Sequence, residues 1–501
     1  MNKLEVLNQN EIQRIHNATI ELLEQVGIKV ESKEALDLFE KNGAKVNKKT
    51  NFVYIPEFLI KHSLMKIPKS FSLFGPDGSY QLKVNTSNSV FATMGAAVNI
   101  NDPSRKKLIR KTSLKDTIDH LRVVNELEHI NCSHVDVWPH DIPFTEIHYH
   151  TISNWAKFSY KPYGMSCYGR VASKDMMNML SIIVEDEDNL RNKPRLLGIF
   201  NPLSPLTLPK ILLNGLFVFA KYNQPLLISA AASAGSTSPV TLAGTLVQAN
   251  MEVLSSIVLT QLINPGTPVL YGSTNTILDP LSGNVAYGSM EFSLITIASA
   301  QLAHFYNIPS KGSGSLTDSK SFDIQNGFER FFTLYTAIAA GHNYITCAGT
   351  YESLLSESLE LLVIDNEFIN IITKVLQKGY LNKKALDLSQ QKDIIGENNS
   401  SMRLKEKMKK IDKEIFHKKI FESMININHT NEGDKTIMNK AKSLVHQILQ
   451  QERDSKLSEP VDKELKNYYK LIASRSLEDY IKSEDLEGGA ENVNIGGIKL
   501  N

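Results

Sequence analysis

"PLLISAAASAGSTSPVTLAGTLVQANMEVLSSIVLTQLINPGTPVLYGSTN", residues Pro225 to Asn275, holds two short apolar runs separated by one long one. The long run ends at Asn264-Pro265-Gly266 and is too extended for a strand, so it reads as a helix. The runs on either side are short and bounded by turn residues, so they read as strands. The pattern is therefore strand, helix, strand, and it repeats along the chain. Strand candidates are "HINCSHVDVW", "YGMSCYG", "RLLGIFN", "PLLISAAA", "PVLYGSTN", "IPSKGSG", "YITCAGTY" and "LELLVID". Eight alternations over roughly 260 residues predict an α/β chain folded as a closed (β/α)8 TIM barrel, since open doubly wound sheets need fewer strands.

The barrel is expected over residues 106–380. Residues 1–105 read as a mixed α/β N-terminal segment. It opens on an amphipathic helix with Ile12, Ile15, Thr19, Leu22 and Val26 on one stripe, Asn10 as its cap and Gly27 as its stop. A strand pair is expected around "SVFATMGAAVNINDP". Residues 381–501 read as a helical C-terminal extension and tail. Its Lys/Glu-rich runs "RLKEKMKKIDKEIFHKKIFESM" and "DKTIMNKAKSLVHQILQQERDSKL" predict solvated helical faces, and "EDLEGGAENVNIGGIKLN" predicts a weakly packed tail.

The 501 residues carry 55 basic and 54 acidic side chains, which leaves no global field for nucleic acid or an anionic membrane. Three cysteines (Cys132, Cys167 and Cys347) do not make a disulfide framework. The first residues have no apolar signal core, and no uncharged apolar run reaches bilayer length. A soluble cytoplasmic protein is the expectation.

In such a barrel the ligand-binding side chains come from the C-terminal ends of the strands. That rule selects His134, Asp136 and Trp138 after the first candidate strand, and Tyr168 and Arg170 after the second. Asn201, Tyr271, Asp318 with Lys320, and Tyr351 follow from later strands. His134 and Asp136 would suit the start of a metal site, but the other ligands are missing: His304 and His342 fall inside helical segments, no HExxH occurs, and no metal is expected. "HYH", His148 to His150, reads as helix surface. The Gly/Ser stretch from Lys311 to Ser315 lacks the spacing of a dinucleotide loop or a P-loop. What remains is a mouth of aromatic and small polar groups, of the kind that binds quaternary ammonium ions through ring faces.

Four stretches, "HNATIELLEQVGI", "SPVTLAGTLVQANMEVLSSIVLTQLINPGTPVLYG", "EFSLITIASAQLAHFYNIPS" and "LTDSKSFDIQNGFE", resemble the trimethylamine methyltransferase family. The resemblance implies a (β/α)8 barrel that moves a methyl group from a methylated amine to the Co(I) corrinoid of a separate small protein. Founding members carry pyrrolysine in the barrel mouth, near the position of Lys320. The ordinary residues here resemble the relatives without pyrrolysine, several of which use quaternary amines such as glycine betaine, proline betaine or carnitine. On this reading Asp318, Lys320, His134 and Asp136 are the catalytic candidates. Trp138, Tyr168, Arg170, Asn201, Tyr271 and Tyr351 are the substrate-binding ones: the aromatics, with Asp136 and Asp318, face the cation, and His134, Arg170, Asn201 or Lys320 take a carboxylate.

No DxHxxG cobalamin signature occurs, so the corrinoid is expected on a partner protein, with no tightly bound cofactor in this chain. Self-association into a homo-oligomer is also expected. The competing readings are a metal-dependent TIM-barrel hydrolase and a non-catalytic betaine-binding protein.

Overall fold

The computed structural model of the chain describes residues 3–377 except 96, 103–108 and 135–136, and then 420, 436–451, 454–486, 494–495 and 498–499. Eight parallel strands form the centre: β1 (Val90–Phe91), β2 (Ser133–His134), β3 (Tyr163–Ser166), β4 (Leu196–Phe200), β5 (Leu226–Ala230), β6 (Val269–Ser273), β7 (Ser310–Ser313) and β8 (Tyr344–Thr346). From β2 to β8 each strand pairs with the next, and β8 pairs with β1 through Tyr344↔Val90. The Ala92↔Cys132 bridge, with Asn131 N–H donating to Phe91 O at 2.7 Å, joins β1 to the approach to β2. The sheet thus closes on itself and leaves no edge. A (β/α)8 barrel is the result.

Two strands differ from the sequence reading. The first barrel strand is Val90–Phe91, upstream of the 105/106 boundary, where a strand pair of the N-terminal segment was expected. "LELLVID" is no strand: it opens the helix that follows β8, Leu359–Leu376. Ser358 caps that helix by accepting from Leu361 N–H, and the apolar pattern runs on for 18 residues, beyond what a strand uses.

Alternation along the strands sorts the core into two layers. Leu197, Ile199, Leu227, Leu270 and Tyr344 face inward. They meet Phe71, Leu73, Leu82 and Val84 of the hairpin Ser70–Phe74/Gln81–Asn85, which plugs the N-terminal end of the barrel. Each of those four plug side chains contributes about 1.5–3 kcal/mol by burial. Leu196, Phe200, Leu226, Ile228, Val269 and Tyr271 face outward into the helix layer.

The helix Leu242–Ile263 is long and apolar enough to cross a bilayer by length and composition, yet it is mostly buried, packed against β5 and the helix Gln9–Gln25. Its mid-point Glu252 accepts from Ser204 Oγ (2.8 Å) and Leu206 N–H (2.9 Å), so it fastens the loop after β4. The helix Gln9–Gln25 starts from Asn8, not Asn10, because Asn8 and Glu11 form a reciprocal capping box. Its buried stripe is Ile12, Ile15, Thr19, Ile20 and Leu23, and Val26 is exposed. Gly27, at φ +75°, ends it as expected.

The C-terminal helices are packed rather than solvated on all sides. Ala441, Val445 and Ile448 of Ile437–Gln450 enter the same cluster as Val123, Val124 and Leu361. Glu459–Ala473 lies on the helix Arg170–Val184, where Arg475 and Tyr468 both bond Asp175. The first Lys/Glu-rich run lies outside the described residues except Ile420, and so does most of the tail.

Candidate active site

A cavity of about 220 Å³ opens at the C-terminal end of the barrel, where the inward positions of the strands run out. One side is polar: His134, Ser166, Asn201, Thr274 and Lys311. Met94, Tyr287, Cys347 and Leu354 form an apolar cluster on another part of the lining, and Ile199 of β4 lies beside Asn201. Lys311 is fully buried on β7 and donates to Ser273 O (3.3 Å), Thr274 Oγ1 (2.6 Å) and Ser313 Oγ (2.8 Å). Burial pushes its pKa down to about 8, with the nearby Cys347 acting the other way. His134 Nε2 pairs with Tyr344 OH at 2.6 Å across the barrel. The residue beside it has to be glycine, because a Cβ on Gly164 would lie 2.2 Å from His134 Nδ1. The Tyr287 phenol is pushed up to about 12, mainly by burial, so it stays neutral.

A carboxylate ties the rim loops together. Asp318 accepts from Tyr287 N–H (2.9 Å), Gly288 N–H (2.8 Å) and Ser353 Oγ (2.7 Å), and so ties the loop after β6 to the loop after β8. The second loop is strained. Glu352, Ser353 and Leu354 lie consecutively in the left-handed region at φ 53°, 51° and 73°. Each such residue costs roughly 1–2 kcal/mol, and hydrogen bonds from Glu352 N–H to Ser319 O and from Ser353 N–H to Thr317 O hold them. Below the rim, the fully buried Arg330 pairs with Asp365 and donates to Thr350 O. Gly349 N–H reaches the same carboxylate at 2.7 Å.

Of the residues expected from sequence, His134 and Asn201 line the cavity. Asp136 lies outside the described residues. Asp318 spends its oxygens on the rim, and Lys320 is exposed. Tyr271 does not reach the cavity: it points into the helix layer and donates to Asn250 Oδ1 at 2.9 Å, because Leu270 and Thr274 hold the inward register. Trp138 and Tyr168 meet edge to face at 5.7 Å and pack with Phe144 and Tyr480, outside the cavity lining. Tyr351 packs against Phe322, likewise away from it.

Arg170 pairs with Glu34 at 2.7 Å, while the backbone N–H groups of Arg170 and Val171 are taken by the buried Glu484 of the C-terminal segment. His148 is not surface but buried against Asp175. His304 and His342 bond backbone carbonyls, as structural histidines do. Among the described residues, no three His, Cys, Asp or Glu side chains are grouped to hold a metal ion. Sequence reasoning passed over Lys311 as a site residue. Its signal was a charged side chain among the small residues of a fully buried strand, Ser310–Ser313.

The sequence profile of the family described as trimethylamine methyltransferase (MTTB) matches residues 1–477. The chain belongs to that family. It is similar to the glycine betaine methyltransferase of Desulfitobacterium hafniense (strain Y51), 34% identical over 380 residues that span 75% of this chain and 78% of that protein. It is equally similar to the trimethylamine methyltransferase MttB of Methanosarcina barkeri, 34% identical over 402 residues that span 79% and 81%. The crystal structure of the Methanosarcina barkeri monomethylamine methyltransferase shares the fold, with a TM-score of 0.50 and 10% identity over 97% of this chain and 89% of that one. As a member of the trimethylamine methyltransferase family, the chain is a methyltransferase. The hydrolase and simple binding-protein readings give way to that membership.

Proposed function

We propose that the protein transfers a methyl group from a quaternary amine held in the barrel-mouth cavity to the Co(I) corrinoid of a separate protein. The observation that carries this reading is the mixed lining of the cavity: an apolar and aromatic cluster lies beside polar groups that include Lys311, with no carboxylate among the described lining residues. A quaternary nitrogen already carries its positive charge, so it leaves as a neutral tertiary amine in an in-line displacement, and no proton has to be supplied. Such chemistry asks for a dry, shaped pocket that aims one methyl outward. Met94, Tyr287 and Leu354 surround the methyls, while His134 and Asn201 fix the other end. Asp318 sets the shape of the mouth from outside the cavity.

A cavity of about 220 Å³ is too small for a corrinoid ring, which must stay outside on its carrier. The corrinoid supplies the nucleophile. The rim suits a protein partner: Val240 (81% exposed), Leu281 (97%), Ile324 (91%) and Phe328 (68%) stand on loops and a helix start that follow barrel strands. Exposed apolar groups gathered at one end of a barrel mark a contact surface. Lys320 stands on the same rim, placed to meet the carrier rather than the amine. The chain works, on this reading, in the cytoplasm.

The deciding experiment is anaerobic visible absorption of a reduced cognate corrinoid protein with glycine betaine, proline betaine, carnitine, choline and trimethylamine in turn. Loss of the Co(I) band with one quaternary amine is expected; persistence with all of them overturns the proposal. The double variant Ile324→Asp/Phe328→Asp is expected to slow methyl transfer about tenfold or more while calorimetric amine binding stays unchanged. Wild-type transfer rates in that variant would remove the rim from the partner interface.

A further inference from the structure

The proposed reading leaves open how the cavity tells one quaternary amine from another, and Lys311 bears on that. Its ammonium group is fully buried, and all three of its hydrogen-bond acceptors are neutral: a backbone carbonyl and two hydroxyls. The other described residues that line the cavity include no Asp or Glu. A buried cation with no carboxylate among the described residues around it is an expensive arrangement, unless something that binds there supplies the charge. The apolar cluster of Met94, Tyr287 and Leu354 forms another part of the lining and carries no positive charge. One ligand chemistry satisfies both sides at once: a carboxylate joined by a short link to a methylated ammonium.

We infer that Lys311 is the counter-ion for a substrate carboxylate, so that the cavity selects zwitterionic N-methylated amino acids over simple cations. Trimethylammonium, tetramethylammonium and choline bring positive charge next to a buried lysine with nothing to neutralise it. A betaine brings its own neutraliser. This inference rests on the quaternary-amine reading and names the residue that reads the amine's carboxylate.

A pH dependence follows. Among the described residues, the titratable groups facing Lys311 are His134, Cys347 and Tyr287 around the cavity and His342 behind β7. Tyr287 stays neutral, and His342, lowered to about 3 chiefly by burial, does so too. A bound carboxylate raises the Lys311 pKa, so binding takes up a proton above the free value of about 8. Affinity should be level below about pH 8 and weaken as pH rises beyond it.

The test is isothermal titration of the full chain, without corrinoid protein, using glycine betaine and tetramethylammonium on wild type, Lys311→Met and Thr274→Val. Expected are tight binding of glycine betaine by wild type and a loss of roughly 10- to 100-fold in Lys311→Met. Tetramethylammonium should bind Lys311→Met as well as or better than wild type, and the pH dependence above 8 should vanish in that variant. Should Lys311→Met fail to fold, wild-type selectivity, its pH profile and a smaller loss in Thr274→Val carry the test. Equal wild-type affinity for the two ligands, with no pH dependence, overturns the role of Lys311 and leaves the quaternary-amine reading standing. Binding of neither ligand overturns both.

Discussion

Replacing Arg330 by methionine is expected to lower the unfolding free energy by about 3–5 kcal/mol, because it strands a buried carboxylate. Arg330 and Asp365 are both fully buried, and the guanidinium also takes Thr350 O while Gly349 N–H bonds the same carboxylate. This cluster sets the turn that carries the chain from β8 to the strained rim loop. Burial pushes the Asp365 carboxyl up to about 6 even against the pull of Arg330, and without Arg330 it rises further. A folded-state pKa above the unfolded value favours the protonated folded form at low pH. The deficit of the variant relative to wild type should therefore be greatest above about pH 6 and shrink as pH falls below it. Denaturant unfolding at pH 5 and pH 8 checks both size and sign. The double variant Arg330→Met/Asp365→Leu should recover most of the loss, and a double variant no better than the single one would mean that the charge is not what matters.

Asp318→Ala is expected to reduce kcat/KM for methyl transfer about 100-fold while the melting temperature falls by only a few degrees. The carboxylate is a positioning group. Its three donors come from the two loops that bring Tyr287 and Leu354 to the cavity, so its loss lets both walls of the mouth move by ångströms. Asp318→Asn keeps one acceptor oxygen and should recover part of the rate, which a group acting directly in the chemistry would not allow so readily. Steady-state kinetics beside thermal unfolding separate the two effects. A wild-type rate in Asp318→Ala would show that the rim does not depend on this residue.

Much of the barrel was legible because seven of its strands lie in short runs closed by turn residues, most of them apolar, and the helix between β5 and β6 is too long to be anything else. Val90–Phe91 was read within a strand pair of the N-terminal segment rather than as a barrel strand, because its place is fixed by pairing with β8, far along the chain, and with the approach to β2. "LELLVID" misled because a buried helix and a buried strand look alike over seven apolar residues. At the site, counting strand ends found His134 and Asn201, but it could not say which way Tyr271 points, because facing is set by register within the whole barrel. Asp318 was found for its position, and its task became readable only with the donors around it. Arg170 was missed in role because its partners, Glu34 and Glu484, come from distant parts of the chain.

The closure of the barrel also orders events in time. β1 lies between β8 and β2, so residues 90–91 have no complete set of neighbours until residue 346 is available. Leu4 N–H donates to Ala339 O, and Leu7 N–H to the side chain of Gln301, so the start of the chain waits as well. During synthesis residues 90–91 and the first few residues of the chain must therefore leave the ribosome without their full set of partners, which is complete only when the eighth strand emerges. Contacts of such long sequence separation make folding slow and leave apolar surface open meanwhile. For this protein, help from a chaperone during translation would matter most in the interval before β8 appears.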